Sequence, residues 1–142
     1  MSTEQMKAAA RRFIAEGFNK KEMTEFDVYF SSSLADHALP PGMPGGLEGR
    51  KLYISAFFAA FPDLQVHIDD LVAEGNRLVT RWIAQGTHQG ELMGIAPTGK
   101  SIAVTGIAID RFENGQSVEH WEVFDQMGLM QQLGVIPAPG TA

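Results

Sequence analysis

Cysteine is missing altogether from this chain of 142 residues. Disulfides, thiolate metal sites and cysteine nucleophiles are therefore excluded together. Positive charge is scarce too: 11 lysines and arginines stand against 17 acids, a net charge of −6. Without a basic stripe to neutralise phosphates, no nucleic-acid partner is expected. No apolar run approaches the ~20 residues of a membrane span. The first residues, MSTEQMKAAARRF, have no signal-peptide core, and a cytoplasmic location is the default expectation. With 44% hydrophobic residues, the chain reads as an ordinary globular sequence, most simply one domain over 1–142 with an ordered core at about 3–134.

The apolar pattern changes period midway. Met6, Ala10, Phe13, Ile14 and Phe18 recur at helical spacing, predicting an amphipathic helix over 3–18 that Ser2 or Thr3 can cap. A second short helix is expected over 22–30, an extended piece over 34–39, and a longer helix over about 49–61, stopped by Pro62. The proline- and glycine-rich 40–46 must be a loop, either a flap at a pocket rim or a plain connector. From Leu64 onward alternation predicts strands over 64–74, 77–90, 101–113 and 117–126, with Asn114-Gly115 as a hairpin turn. Helices followed by an antiparallel meander make an α+β fold with helices covering one face of a curved sheet. Ile136–Ala142 is expected to be a loose tail.

One acid draws attention. Asp125 stands where the apolar strand Val118–Phe124 gives way to a helix, and a buried carboxylate there would need a partner or a proton. It is a candidate for chemistry, for helix capping, or for both. If Asp125 faces the interior, alternation puts Trp121 and Val123 beside it and sends His120, Glu122 and Phe124 to the other face. The four histidines, at 37, 67, 88 and 120, lack the short spacings of a metal site, so no metal is expected.

Four stretches carry a family likeness: Ala60-Phe61-Pro62-Asp63-Leu64; Thr80-Arg81-Trp82 with Gly86-Thr87-His88-Gln89-Gly90; Gly94 to Lys100; and Glu119-His120-Trp121-Glu122 with Phe124-Asp125 and Gln131 to Gly134. Together they resemble the SnoaL-like polyketide cyclases of the nuclear-transport-factor-2-like superfamily. The resemblance implies a conical barrel, a strongly bent antiparallel sheet wrapped around N-terminal helices with one deep pocket, and a homodimer formed through the sheet's outer face. It implies cofactor-free aldol closure of a hydrophobic, aromatic or polycyclic polyketide ester, with Asp125 as general acid/base. His88 is the expected partner of Asp125, or else a histidine bonded to backbone at a strand end. Trp82, Trp121, Phe13, Phe57 and Phe61 are expected to line the pocket, with His37 at its rim. An isomerase, dehydratase or epoxide hydrolase, or a non-catalytic binder of apolar molecules, stands as the alternative. No second catalytic carboxylate is evident beside Asp125, which speaks against the epoxide-hydrolase branch.

Overall fold

The computed structural model describes residues 1–137 and 140; most of the tail expected at 136–142 lies outside them. Helix α1 (Thr3–Arg12) opens with a capping box, Ser2 Oγ accepting from Gln5 N at 3.1 Å while Gln5 Oε1 accepts from Ser2 N at 2.7 Å. It runs directly into a π-helical segment, Phe13–Asn19. Then follow α2 (Thr24–Tyr29), β1 (Phe30–Asp36), α3 (Gly46–Ala60), β2 (Gln65–Glu74), β3 (Arg77–Thr87), β4 (Ser101–Glu113), β5 (Gln116–Phe124) and α4 (Gln126–Leu133). No helix among the described residues is long and apolar enough to cross a membrane.

The strands form one curved, open sheet in the order β1-β5-β4-β3-β2. β2 to β5 are the expected antiparallel meander, whereas β1 runs parallel to β5, so the sheet is mixed. Asn114 and Gly115 both take positive φ, 51° and 80°, as the tight β4–β5 hairpin requires.

Strand register fixes what faces the helices. Three rows cross the concave face of β3, β4 and β5: Leu78–Asp110–His120, Thr80–Ala108–Glu122 and Trp82–Gly106–Phe124. Beyond them the face is apolar, through Ala84–Val104 and Gly86–Ile102. Two buried clusters close over this surface. One gathers Met6, Phe13, Phe26, Tyr29 and Phe30 near Leu78 and Phe112. The other gathers Phe61, Leu64, Ile102, Leu129 and Leu133. Ala84 and Ala108, small residues mid-sheet, leave space between the clusters, and a cavity of ≈ 120 Å³ lies there.

Candidate active site

The cavity draws its walls from both clusters and is apolar over most of its surface. Phe13, Ile14 and Phe18 of the π segment, Phe57 and Phe61 at the end of α3, and Leu129 of α4 supply hydrocarbon. Polar side chains collect at one end: Arg50 and Tyr53 from α3, Thr80 and Trp82 from β3, Asp110 from β4, and His120 and Glu122 from β5.

All of these but Tyr53 and Thr80 belong to one continuous hydrogen-bonded chain. Asp110 accepts from Tyr29 Oη at 3.1 Å, from Ser117 Oγ at 2.7 Å and from His120 Nδ1 at 2.7 Å. His120 Nε2 reaches Glu122 Oε1 at 3.2 Å. That same oxygen accepts from Arg50 Nη1 at 3.2 Å, and Glu122 Oε2 accepts from Trp82 Nε1 at 2.9 Å. Arg50 grips Asp36 with two more donors, Nε at 2.7 Å and Nη2 at 3.1 Å. The Arg50 side chain is only 4% exposed and that of Asp36 is fully covered, so neither charge could stand there alone.

Burial alone would drive a proton off His120. Asp110 and Glu122 on its two nitrogens outweigh it and push its pKa up to about 10. The ring is therefore an imidazolium at neutral pH, donating from both nitrogens. Burial would conversely raise Glu122, but His120, Arg50 and the Trp82 indole N–H hold it below the usual range. Asp36 is likewise held low, with Arg50 overcoming its burial. Three carboxylates, Asp36, Asp110 and Glu122, thus share two cations, Arg50 and His120.

Several expected site residues lie elsewhere. Asp125 is exposed, caps α4 by accepting from Gly128 N at 2.9 Å, and is not part of the cavity wall. It lies one residue past the end of β5, where the chain has already turned, so strand alternation does not reach it. The interior face of β5 is accordingly the opposite of that expected: His120, Glu122 and Phe124 point into the cavity, and Trp121 and Val123 point out. His88 is fully buried behind Phe61, with ring centroids 5.4 Å apart. Its Nδ1 accepts from Thr98 N at 3.1 Å, and it meets neither the cavity nor Asp125. His37 stacks on Trp121 at 5.1 Å and bonds Glu119 at 2.8 Å, outside the cavity. No residue of the 40–46 loop lines the cavity. Trp82, Phe13, Phe57 and Phe61 do line it, as expected. The polar set missed from sequence, Arg50, Asp110, His120 and Glu122, includes the acids that were not evident. One signal for it existed: Ile102, Val104, Ala108, Asp110 and Phe112 share a strand face, and an acid among apolar neighbours marks a buried carboxylate.

The family model for SnoaL-like polyketide cyclases matches residues 8–133, and the chain belongs to that family. Among solved structures it is similar to TsrD from Streptomyces laurentii, at 26% identity over 96% of this chain and 99% of that one, with a TM-score of 0.88. It is similar also to AclR from Streptomyces galilaeus, named as a candidate hydroxylase, at 29% identity over 96% and 85% of the two chains, TM-score 0.86. IdmH from Streptomyces antibioticus, named as a candidate polyketide cyclase, is 30% identical over 92% and 99%, TM-score 0.80. No curated protein matches the chain.

Proposed function

We propose that this chain is a cofactor-free, cyclase-type enzyme that moves a proton on a hydrophobic carbonyl substrate, with Glu122 as the cavity-facing base. The observation that carries this reading is the Asp110–His120–Glu122 chain at the polar end of an otherwise apolar cavity. Glu122 takes a proton from the carbon beside a substrate carbonyl, and the C–H electrons pass to that carbonyl oxygen as an enolate. The enolate carbon attacks a second carbonyl of the same molecule, and the resulting alkoxide takes a proton back from the chain. Glu122 keeps that proton meanwhile, because His120 already carries one on each nitrogen, and the partners that hold Glu122 below the usual range keep the resting base ionised and ready to accept. Among the described residues the hydroxyls of Thr80 and Tyr53 line the cavity without a protein hydrogen-bond partner, and they are the donors offered to the developing oxyanion. The flat Trp82 indole suits an aromatic or polycyclic substrate. The protein is proposed to act as a homodimer, joined through the convex face of the sheet.

The test is ring closure of aromatic β-keto esters bearing a second carbonyl, run in D2O with deuterium uptake read by mass spectrometry. Wild type should accelerate both, and Glu122→Gln should lose about 10²–10⁴-fold. A folded Glu122→Gln protein with undiminished activity would overturn the reading, as would the absence of catalysis from wild type across the series, the result expected of a mere binder.

One observation favours a second reading. Arg50 sits between the carboxylates of Asp36 and Glu122, an acid–arginine–acid arrangement able to orient a water for a hydrolase. Oxygen-18 appearing in product from labelled water would select it over aldol closure.

A further inference from the structure

The centre of the concave face holds a glycine where every neighbouring position carries a side chain. Gly106 on β4 lies opposite Trp82 on β3 and Phe124 on β5. A methyl group at 106 would overlap Trp82 Cζ2 and lie 2.5 and 2.8 Å from its ring neighbours Cε2 and Cη2. A point so near three consecutive ring atoms lies over the ring face and not off its edge. The six-membered ring therefore rests face-down on the bare backbone of β4. Real side-chain carbons do not approach this closely, and the neighbour here is a broad, stiff ring.

That placement has a consequence across the sheet. Trp82 and Glu122 sit on strands separated by β4, roughly 10 Å apart between backbones at ~4.8 Å per strand. Only an indole laid across β4 brings Nε1 to 2.9 Å from Glu122 Oε2. The other Glu122 oxygen is held by His120 and Arg50, so the indole alone fixes the free end of the carboxylate among the described residues.

We propose that Gly106 is a positioning residue: its missing side chain lets the Trp82 indole cross β4 and hold Glu122 in the orientation that faces the cavity. The inference rests on the reading of Glu122 as the base. Its test follows Glu122 itself, so it can fail while that reading stands, and the turnover test can fail while this one succeeds.

The sequence contains two tryptophans, so the full chain gives two indole N–H signals by ¹⁵N NMR, and Trp82→Leu identifies which is Trp82. Glu122 is followed by ¹³C NMR of its carboxyl through a pH titration. Gly106→Ala should shift the Trp82 indole signal upfield and raise the titration point of Glu122, by as much as Trp82→Leu raises it. In the Trp82→Leu background Gly106→Ala should change the Glu122 acid constant by less than about twofold, the two sites acting as one. The proposal is overturned if Gly106→Ala leaves both signals at their wild-type positions, or shifts Glu122 equally with and without Trp82. Should Gly106→Ala fail to fold alone, the double variant decides. Recovery of a cooperative thermal transition on removing the indole supports the proposal, and continued failure to fold refutes it.

Discussion

The chemistry of this site depends on which side of a strand a residue occupies. Alternation along β5 is plain in the sequence, yet alternation alone gives two faces without saying which is inside. Anchoring the choice on Asp125 inverted it, because that residue belongs to the cap of α4 and not to the strand. Of the apolar neighbours that make Asp125 look buried, Trp121 and Val123 face outward, Val123 at 74% exposed. Asp125→Asn keeps a competent cap, so thermal denaturation should show a loss of about 1 kcal/mol or less, with turnover within twofold of wild type. A large loss of activity in a folded Asp125→Asn protein would return the base to that position. At the same scale the aromatic wall was legible, since Phe13, Phe57 and Phe61 follow helical spacing and Trp82 follows strand spacing.

Among the elements, α3 and the π segment define the cavity, and they were legible to different degrees. The helix over 49–61 was clear from its apolar spacing and Pro62, but the role of Arg50 was not. Arg50, Ile54, Phe57 and Phe61 follow one another at three- and four-residue steps, so the arginine lies on the buried stripe. Charged residues on such a stripe are easily taken for its solvent edge. The π segment reads as ordinary helix because two widened turns barely change an apolar pattern. It nevertheless sets Phe13 at the hub of the N-terminal cluster, stacked on Tyr29 at 4.4 Å and edge-on to Phe26 at 4.9 Å. Removing the charge from α3 strands Asp36 and Glu122 in the interior. Arg50→Met should therefore cost about 3–5 kcal/mol in urea denaturation. Restoring neutrality with Asp36→Asn in the same chain should recover part of that loss. A loss under about 1 kcal/mol for Arg50→Met would show the pair to be solvated.

For the molecule as a whole, the buried charges predict how stability follows pH. Asp36 and Glu122 have lowered folded pKa values, against ordinary values of 3.8 and 4.5. Their contribution is present above those values and is lost as pH falls through the folded ones. His120 runs the other way. Raised from 6.5 to about 10, it stabilises fully below 6.5 and progressively less as pH climbs to 10. The melting temperature should peak near pH 5–6 and decline toward pH 10, and His120→Gln should flatten the alkaline decline. An unchanged alkaline limb in that variant would assign the decline to other groups.

The convex face makes a separate prediction. Val72, Val79, Ile109 and Trp121 form an apolar row across four strands, and Ile107 pairs with Val123 beside it. Val72 is 60% exposed, and a connected apolar strip of this kind marks an association surface. Light scattering at micromolar concentration should report a dimer, and Val123→Glu should shift it toward monomer. A monomeric wild-type protein would contradict the proposal. The succession of elements was thus readable from periodicity, as was the meander. The parallel β1–β5 pairing and the cavity were not, because both depend on how distant strands meet.

The protonation state of His120 tests the central claim most directly, since it requires no substrate. In ¹⁵N NMR of the full chain, the ring should carry protons on both nitrogens at pH 7 and lose one near pH 10. A neutral His120 ring at pH 7, with an ordinary titration near 6.5, would mean that Asp110 and Glu122 do not bracket it as charged partners, and the charged chain behind Glu122 would have no basis.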